Sequence, residues 1–198
     1  MIEGFGLLLL AAFPLMGSPG PATVSLAATA SVFGIRRSLR YLTGIILGTS
    51  AVLLMIATGI TGILFAAPGV LPALSVAALC YILYLAYKIA TAPILTQDVA
   101  SETAPSAIGG LLLAIANPKA FAAIGAVYAS VVIVPDQPGL DASVKVAALF
   151  GVIVIVNSSW LALGAVLARL LRHPRSGRAI NIFFATLLVL SVVMAALI

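Results

Sequence analysis

Residues 18–21 read Ser18-Pro19-Gly20-Pro21 and interrupt an apolar run that carries no charge between Glu3 and Arg36. Proline lacks a backbone N–H and restricts the residue before it, so this stretch pushes Ser18 and Gly20 away from helical angles and frees nearby carbonyls. In hydrocarbon those carbonyls must find partners, and such a break survives only buried in protein or facing a wet cavity. A second interruption, Asn117-Pro118-Lys119, lies in another apolar run, with Pro118 about 99 residues beyond Pro19. Paired Pro/Gly interruptions at matching places in two halves point to a transporter binding site.

Working outward, the whole chain of 198 residues is 63% hydrophobic and 8% charged, with a mean hydropathy of +1.28. A soluble domain carries charge on about a quarter of its residues, so this composition specifies an integral membrane protein. The runs are continuously apolar rather than alternating, which selects helices over an outer-membrane barrel. In such a chain the net charge of +5 reports topology before it reports an anionic partner. Met1-Ile2-Glu3 has an acid where a signal peptide has basic residues, so the first helix is expected to be retained. Cys80 stands alone, which rules out an intramolecular disulfide or a multi-cysteine metal site and leaves it a packing role.

Six spans are predicted, at about residues 3–31, 41–65, 71–90, 106–134, 143–168 and 179–198, with the first and fourth broken. Loops after the first span (Arg36, Arg37, Arg40) and the fifth (Arg169, Arg172, Arg175, Arg178) are basic, and Lys88 flanks the loop after the third. The loop after the second span has no cation, and that after the fourth sets Asp136 and Asp141 against Lys145. Positive residues mark cytoplasmic loops, so both termini are expected outside. Three spans per half make the halves enter the membrane in opposite senses. The fold class is therefore an all-α membrane protein of two inverted three-helix repeats in one transporter domain. Repeat 1 covers about 1–92, a polar linker about 93–105, and repeat 2 about 106–198. A shift that places Pro19 on Pro118 also sets the basic Arg36 loop on the acidic Asp136 loop, as an inverted repeat requires.

The residues expected to shape a substrate site are Pro19, Gly20, Pro21, Asn117, Pro118, Lys119 and Asn157. For the Pro-Gly-Pro element the plainer reading is a packing kink, but two prolines with a glycine, echoed in the other half, exceed what a kink needs. Lys119 lies about 20 Å along its span, near the bilayer centre, where a lysine faces a cavity or a partner rather than snorkelling to the interface. It either binds a substrate carboxylate or holds the freed carbonyls around Asn117. Asn117 and Asn157 are the amides deep in the spans, and interhelical hydrogen bonding is the default for each. Tyr84 and Tyr87 read as interfacial belt residues, with Tyr81 on the same helix. Gly44 and Gly48 form a Gly-xxx-Gly spacing suited to close helix packing. No acid lies deep in a span, and His173 sits in a basic loop. With no metal cluster, nucleophile triad or phosphate loop, neither an enzyme nor a cofactor is expected.

Pro19-Gly20-Pro21, followed by Gly34, Arg36-Arg37, Gly44 and Gly48, resembles the opening of the LysE/RhtB amino-acid exporters. Tyr84-Leu85-Ala86-Tyr87-Lys88 is similar to that family's third-helix end, and Asn117-Pro118-Lys119 to its fourth-helix signature. The resemblance covers essentially the whole chain. It departs at Ser38 and Ala86, where the family commonly has glycine, and in a last span without glycine. It implies proton-coupled export of an amino acid or similar small metabolite across a bacterial-type inner membrane. Members exporting lysine or arginine tend to carry an acid in the second helix, where this chain has Thr49-Ser50, so a neutral or polar substrate is implied. The partners expected are that substrate and the lipid bilayer, with no nucleic acid, and a homodimer is compatible with so small a bundle. Two rivals are an exporter of metal or other inorganic cations from the same superfamily and a non-transporting membrane subunit.

Overall fold

The computed structural model describes residues 2–61, 69–91, 104–170 and 174–197, which form seven helices and no strand. These are α1 (Ile2–Gly17), α2 (Pro21–Ala57), α3 (Val70–Thr91), α4 (Ala107–Ile115), α5 (Pro118–Ser130), α6 (Pro138–Leu170) and α7 (Pro174–Leu197). Pro21, Pro118, Pro138 and Pro174 each occupy the first position of a helix, where a missing N–H removes no intrahelical bond. Most of the expected linker and His173 lie outside the described residues.

α2 is two limbs. Gly34 leaves the helical region with φ 76° and ψ 167°, a backbone that L side chains rarely adopt. Tyr41 Oη then donates to Ser25 Oγ at 3.0 Å across that glycine. A straight helix would hold residues that far apart in sequence about 24 Å from each other, so the chain folds back at Gly34. The limb 21–33 rises only about 20 Å, too little to cross about 30 Å of hydrocarbon alone, whereas the limb 35–57 rises about 34 Å. Arg36, Arg37 and Arg40, expected in a loop, instead occupy the first turns of the second limb, with their side chains exposed. By length and composition Pro21–Ala57 and Pro138–Leu167 are long and apolar enough to span a membrane, and α4 with α5, bent by 59°, makes a third.

Glycines set how closely these helices meet. A Cβ on Gly44 would run into the carbonyl oxygen of Ala107, and one on Gly48 would lie 2.6 Å from that of Leu111. The expected packing role of the Gly-xxx-Gly pair is therefore realised between the second limb of α2 and α4. Gly164 of α6 presses in the same way on the carbonyl of Ala27 in the first limb. Two apolar clusters result. One joins the first limb of α2 to α3, α4 and α7 through residues such as Leu26, Leu85, Leu113 and Leu188. The other joins α1 to α5, α6 and the end of α2 through Leu8, Val52, Ile124 and Ile153. Ile46 and Trp160 pack against both.

α6 begins five residues before the expected span, which moves Asp141 out of the expected loop and onto the helix that carries Lys145. Both are buried, and they pair at 2.8 Å one helical turn apart. Asp141 Oδ1 also accepts from the backbone N–H groups of Ile133 and Val134, at 2.6 and 2.9 Å, while Lys145 Nζ sits 5.0 Å from the Tyr128 ring centroid. The pair thus pins the extended segment after α5. Removing one charge leaves the other buried without its partner, which is worse than removing both. Asp141→Ala is expected to lower the unfolding midpoint in detergent more than the double variant Asp141→Ala/Lys145→Met does, as thermal circular dichroism of the two would show.

Candidate functional site

At the first break, four carbonyls at and before the two prolines take side-chain donors. Pro19 cannot donate to Leu15 O, and Ser18 Oγ does so instead at 3.0 Å. Pro21 cannot donate to Gly17 O, and the indole Nε1 of Trp160 on α6 does so at 3.0 Å. Gly20, the residue before α2, has no side chain for capping; Thr23 Oγ1 one turn on accepts its N–H at 2.9 Å. Ser18 O and Pro19 O, which end the freed stretch, are both taken by the Lys119 ammonium, the second at 3.1 Å.

Lys119 reaches them because the second break aims it there. Asn117 precedes α5 as its cap and accepts from the Lys119 N–H through Oδ1 at 3.2 Å, with Pro118 in the first helical position. The buried Asn117 side chain therefore fixes the turn from which Lys119 leaves. The sequence register set Pro19 against Pro118. By position in their helices, Pro21 and Pro118 are the counterparts, each one residue after its cap. The ammonium also lies at the C-terminal end of α1, where the aligned peptide dipoles favour a cation.

Gly20 makes room for this contact. Its backbone is extended (φ −167°), which any residue adopts, so the requirement is one of space. A Cβ there would fall 2.5 Å from Lys119 Cδ and 3.0 Å from its Nζ. Because the obstructed group is a flexible side chain, Gly20→Ala should fold while displacing the ammonium. It is expected to lower the unfolding midpoint by less than removal of the ammonium does, because the ammonium shifts rather than vanishes, and to slow substrate exchange about tenfold, equivalent to about 1.4 kcal/mol.

Between the two breaks lies a cavity lined by Gly20, Ala22, Thr23, Asn117, Lys119 and Asn157, with Met16, Thr49, Ile153 and Val156 as its other walls. About 40 Å³ of it accommodates the centres of water-sized spheres, enough for a few waters. The first turns of α2 and α5 both open onto it, and a helix N-terminus offers unpaired N–H groups and positive dipole to an anion. An ammonium has three N–H donors, of which two are engaged here by described residues. Among the described residues that line it there is no Asp or Glu.

Of the residues singled out from sequence, Gly20, Asn117, Lys119 and Asn157 line the cavity. Pro19 contributes its carbonyl to Lys119, while Pro21 and Pro118 start the two inner helices. Asn157 Nδ2 donates to Ile153 O of its own helix at 2.8 Å. Lys119 does hold freed carbonyls, those of the opposite break rather than those around Asn117. Sequence reasoning passed over Trp160 and Thr23. The signal for Trp160 was its place in mid-span, away from the interfaces where tryptophan concentrates. Among the described residues no group of His, Cys, Asp and Glu could hold a metal ion.

A family model described as LysE type translocator matches residues 14–197. A cysteine/O-acetylserine efflux protein of Salmonella paratyphi A is 31% identical over 176 residues, covering 87% of each chain. Proteins of the same description from Salmonella typhimurium and Escherichia coli O1:K1 are each 32% identical, again over 87% of each chain. No solved structure matches.

Proposed function

Because the chain belongs to the LysE-type translocator family, we propose that it exports a small neutral amino acid or a close derivative, cysteine and O-acetylserine being the first candidates. The observation that carries this reading is the Lys119 ammonium, held by the carbonyls of one broken helix at the mouth of the other, beside a cavity both helices line. The substrate carboxylate would lie at the N-terminal turn of α2, with the third N–H of Lys119 beside it. Thr23, Thr49 and Asn157 offer polar atoms to the rest of the molecule. The described lining residues include no carboxylate to balance a substrate of net positive charge, which supports a zwitterion.

The cavity is smaller than an amino acid, so binding requires it to widen, as alternating access entails. α1 with the first limb of α2, and α4 with α5, would then be the two broken spans of inverted halves about 1–92 and 106–198. The arginines after Gly34 would face the cytoplasm and both termini the outside. Proton coupling and a homodimer belong to the same reading. Counterflow in proteoliposomes holding only this protein tests it, with labelled cysteine, O-acetylserine and other neutral amino acids, with and without a pH gradient. Saturable exchange accelerated by the gradient is expected; silence across the panel in folded protein would overturn it.

A further inference from the structure

The first limb of α2 carries hydroxyls where a packed core would carry aliphatic groups. Ala22, Ser25 and Thr29 follow at the spacing of one helix face, which starts at the cavity wall with Ala22. Ser25 and Thr29 are both fully buried. The facing limb runs back from the cavity through Thr49, Ile45 and Tyr41, again one face, and Tyr41 is fully buried too. Tyr41 Oη donates to Ser25 Oγ at 3.0 Å, and Ser25 Oγ in turn donates to Ala22 O at 2.7 Å. Tyr81 of α3 packs against the cluster that holds Tyr41, and its hydroxyl occupies the space that a Cβ on Gly109 would need.

One member of the row is left over. Thr29 Oγ1 is buried with no hydrogen-bond partner among the described residues. A hydroxyl sealed in an apolar core without a partner is unfavourable, and native structures rarely keep one. Water or a polar solute reaching Thr29 would remove that penalty, whereas the packed state cannot. Beyond Thr29 the same face ends at Phe33, over whose ring Lys88 Nζ sits at 5.5 Å, next to the turn that leads to Arg36.

We propose that this row of hydroxyls is the closed half of the translocation path, running from the cavity to the end of the molecule that carries Arg36. The Tyr41–Ser25 hydrogen bond is its gate. Hydroxyls donate and accept equally well, so they pass a polar solute along without holding it as a fixed charge would. The inference rests on the export reading for what passes, but the gate itself can be examined without any substrate.

The test uses the full-length protein with Cys80→Ala, so that an introduced thiol is the only one. Thr29→Cys is exposed to a membrane-impermeant methanethiosulfonate reagent in inside-out and right-side-out vesicles. Ala30→Cys, equally buried but off the row, serves as the comparison. Thr29→Cys is expected to react in inside-out vesicles only, at least about tenfold faster than Ala30→Cys. Adding Tyr41→Phe, which keeps the ring and removes the gate's donor, should accelerate it about tenfold further, the effect of one hydrogen bond of about 1.4 kcal/mol. Equal reactivity at both positions, no effect of Tyr41→Phe, or an inert Thr29→Cys in a variant that still performs counterflow would each overturn the gate. If labelling behaves as expected while every amino acid fails in counterflow, the path stands and the substrate reading falls.

Discussion

Lys119→Ala is expected to reduce amino-acid exchange in proteoliposomes about a hundredfold, equivalent to about 3 kcal/mol. Two consequences converge in that one change. The proposed substrate carboxylate loses its cation, and Ser18 O and Pro19 O lose the donor that replaces their helical partners. A carbonyl left bare in a low-dielectric interior is unfavourable by about 1–3 kcal/mol, so the unfolding midpoint should fall as well. Lys119→Met separates the two roles from side-chain packing, because it keeps an unbranched stem and removes only the ammonium. Lys119→Arg should recover stability more than exchange: a planar fork supplies donors to both carbonyls but does not fit a space shaped for a compact ammonium. Native exchange kinetics in Lys119→Ala, measured as both rate and apparent affinity, would remove Lys119 from the site.

The second large effect belongs to the close helix crossings. Gly44→Ala and Gly164→Ala each place a methyl against a backbone carbonyl, Ala107 O and Ala27 O respectively, and neither backbone can rotate aside as a side chain would. Each is expected to destabilise the protein by about 1–3 kcal/mol. Gly151→Ala and Gly125→Ala provide the opposite sign. Both lie inside helices with nothing within 4 Å of the added methyl, so the higher helix propensity of alanine should stabilise by up to about 1 kcal/mol. Thermal unfolding of the four variants in one detergent decides the matter. A uniform response across the set would mean that the crossings do not depend on the missing side chains.

The two breaks were legible because proline and glycine act locally: a missing N–H and a restricted neighbour need no knowledge of the rest of the chain. The depth of Lys119 was legible for the same reason, since rise per residue converts position into distance. Its actual partners were not, because Ser18 and Pro19 lie about a hundred residues away in sequence and only the packing of α1 against α5 brings them within reach. The fold-back at Gly34 was anticipated as a loop of several basic residues. One glycine with positive φ suffices, and the arginines, good helix formers, continue the next helix. Asp141 and Lys145 misled for a related reason. They were counted as loop charges for topology, yet one helical turn of spacing lets each neutralise the other, and two backbone N–H groups complete the carboxylate.

Trp160 is the only tryptophan in the chain, and its indole N–H is bonded to the last carbonyl of α1. The protein therefore carries a built-in fluorophore at the break between α1 and α2. Any cycle that parts α1 from the inner helix must free that indole or carry it along, and indole emission moves to longer wavelength as water approaches. Unlabelled protein, observed by nothing more than its own emission spectrum, should report the opening of the break in real time when substrate is added.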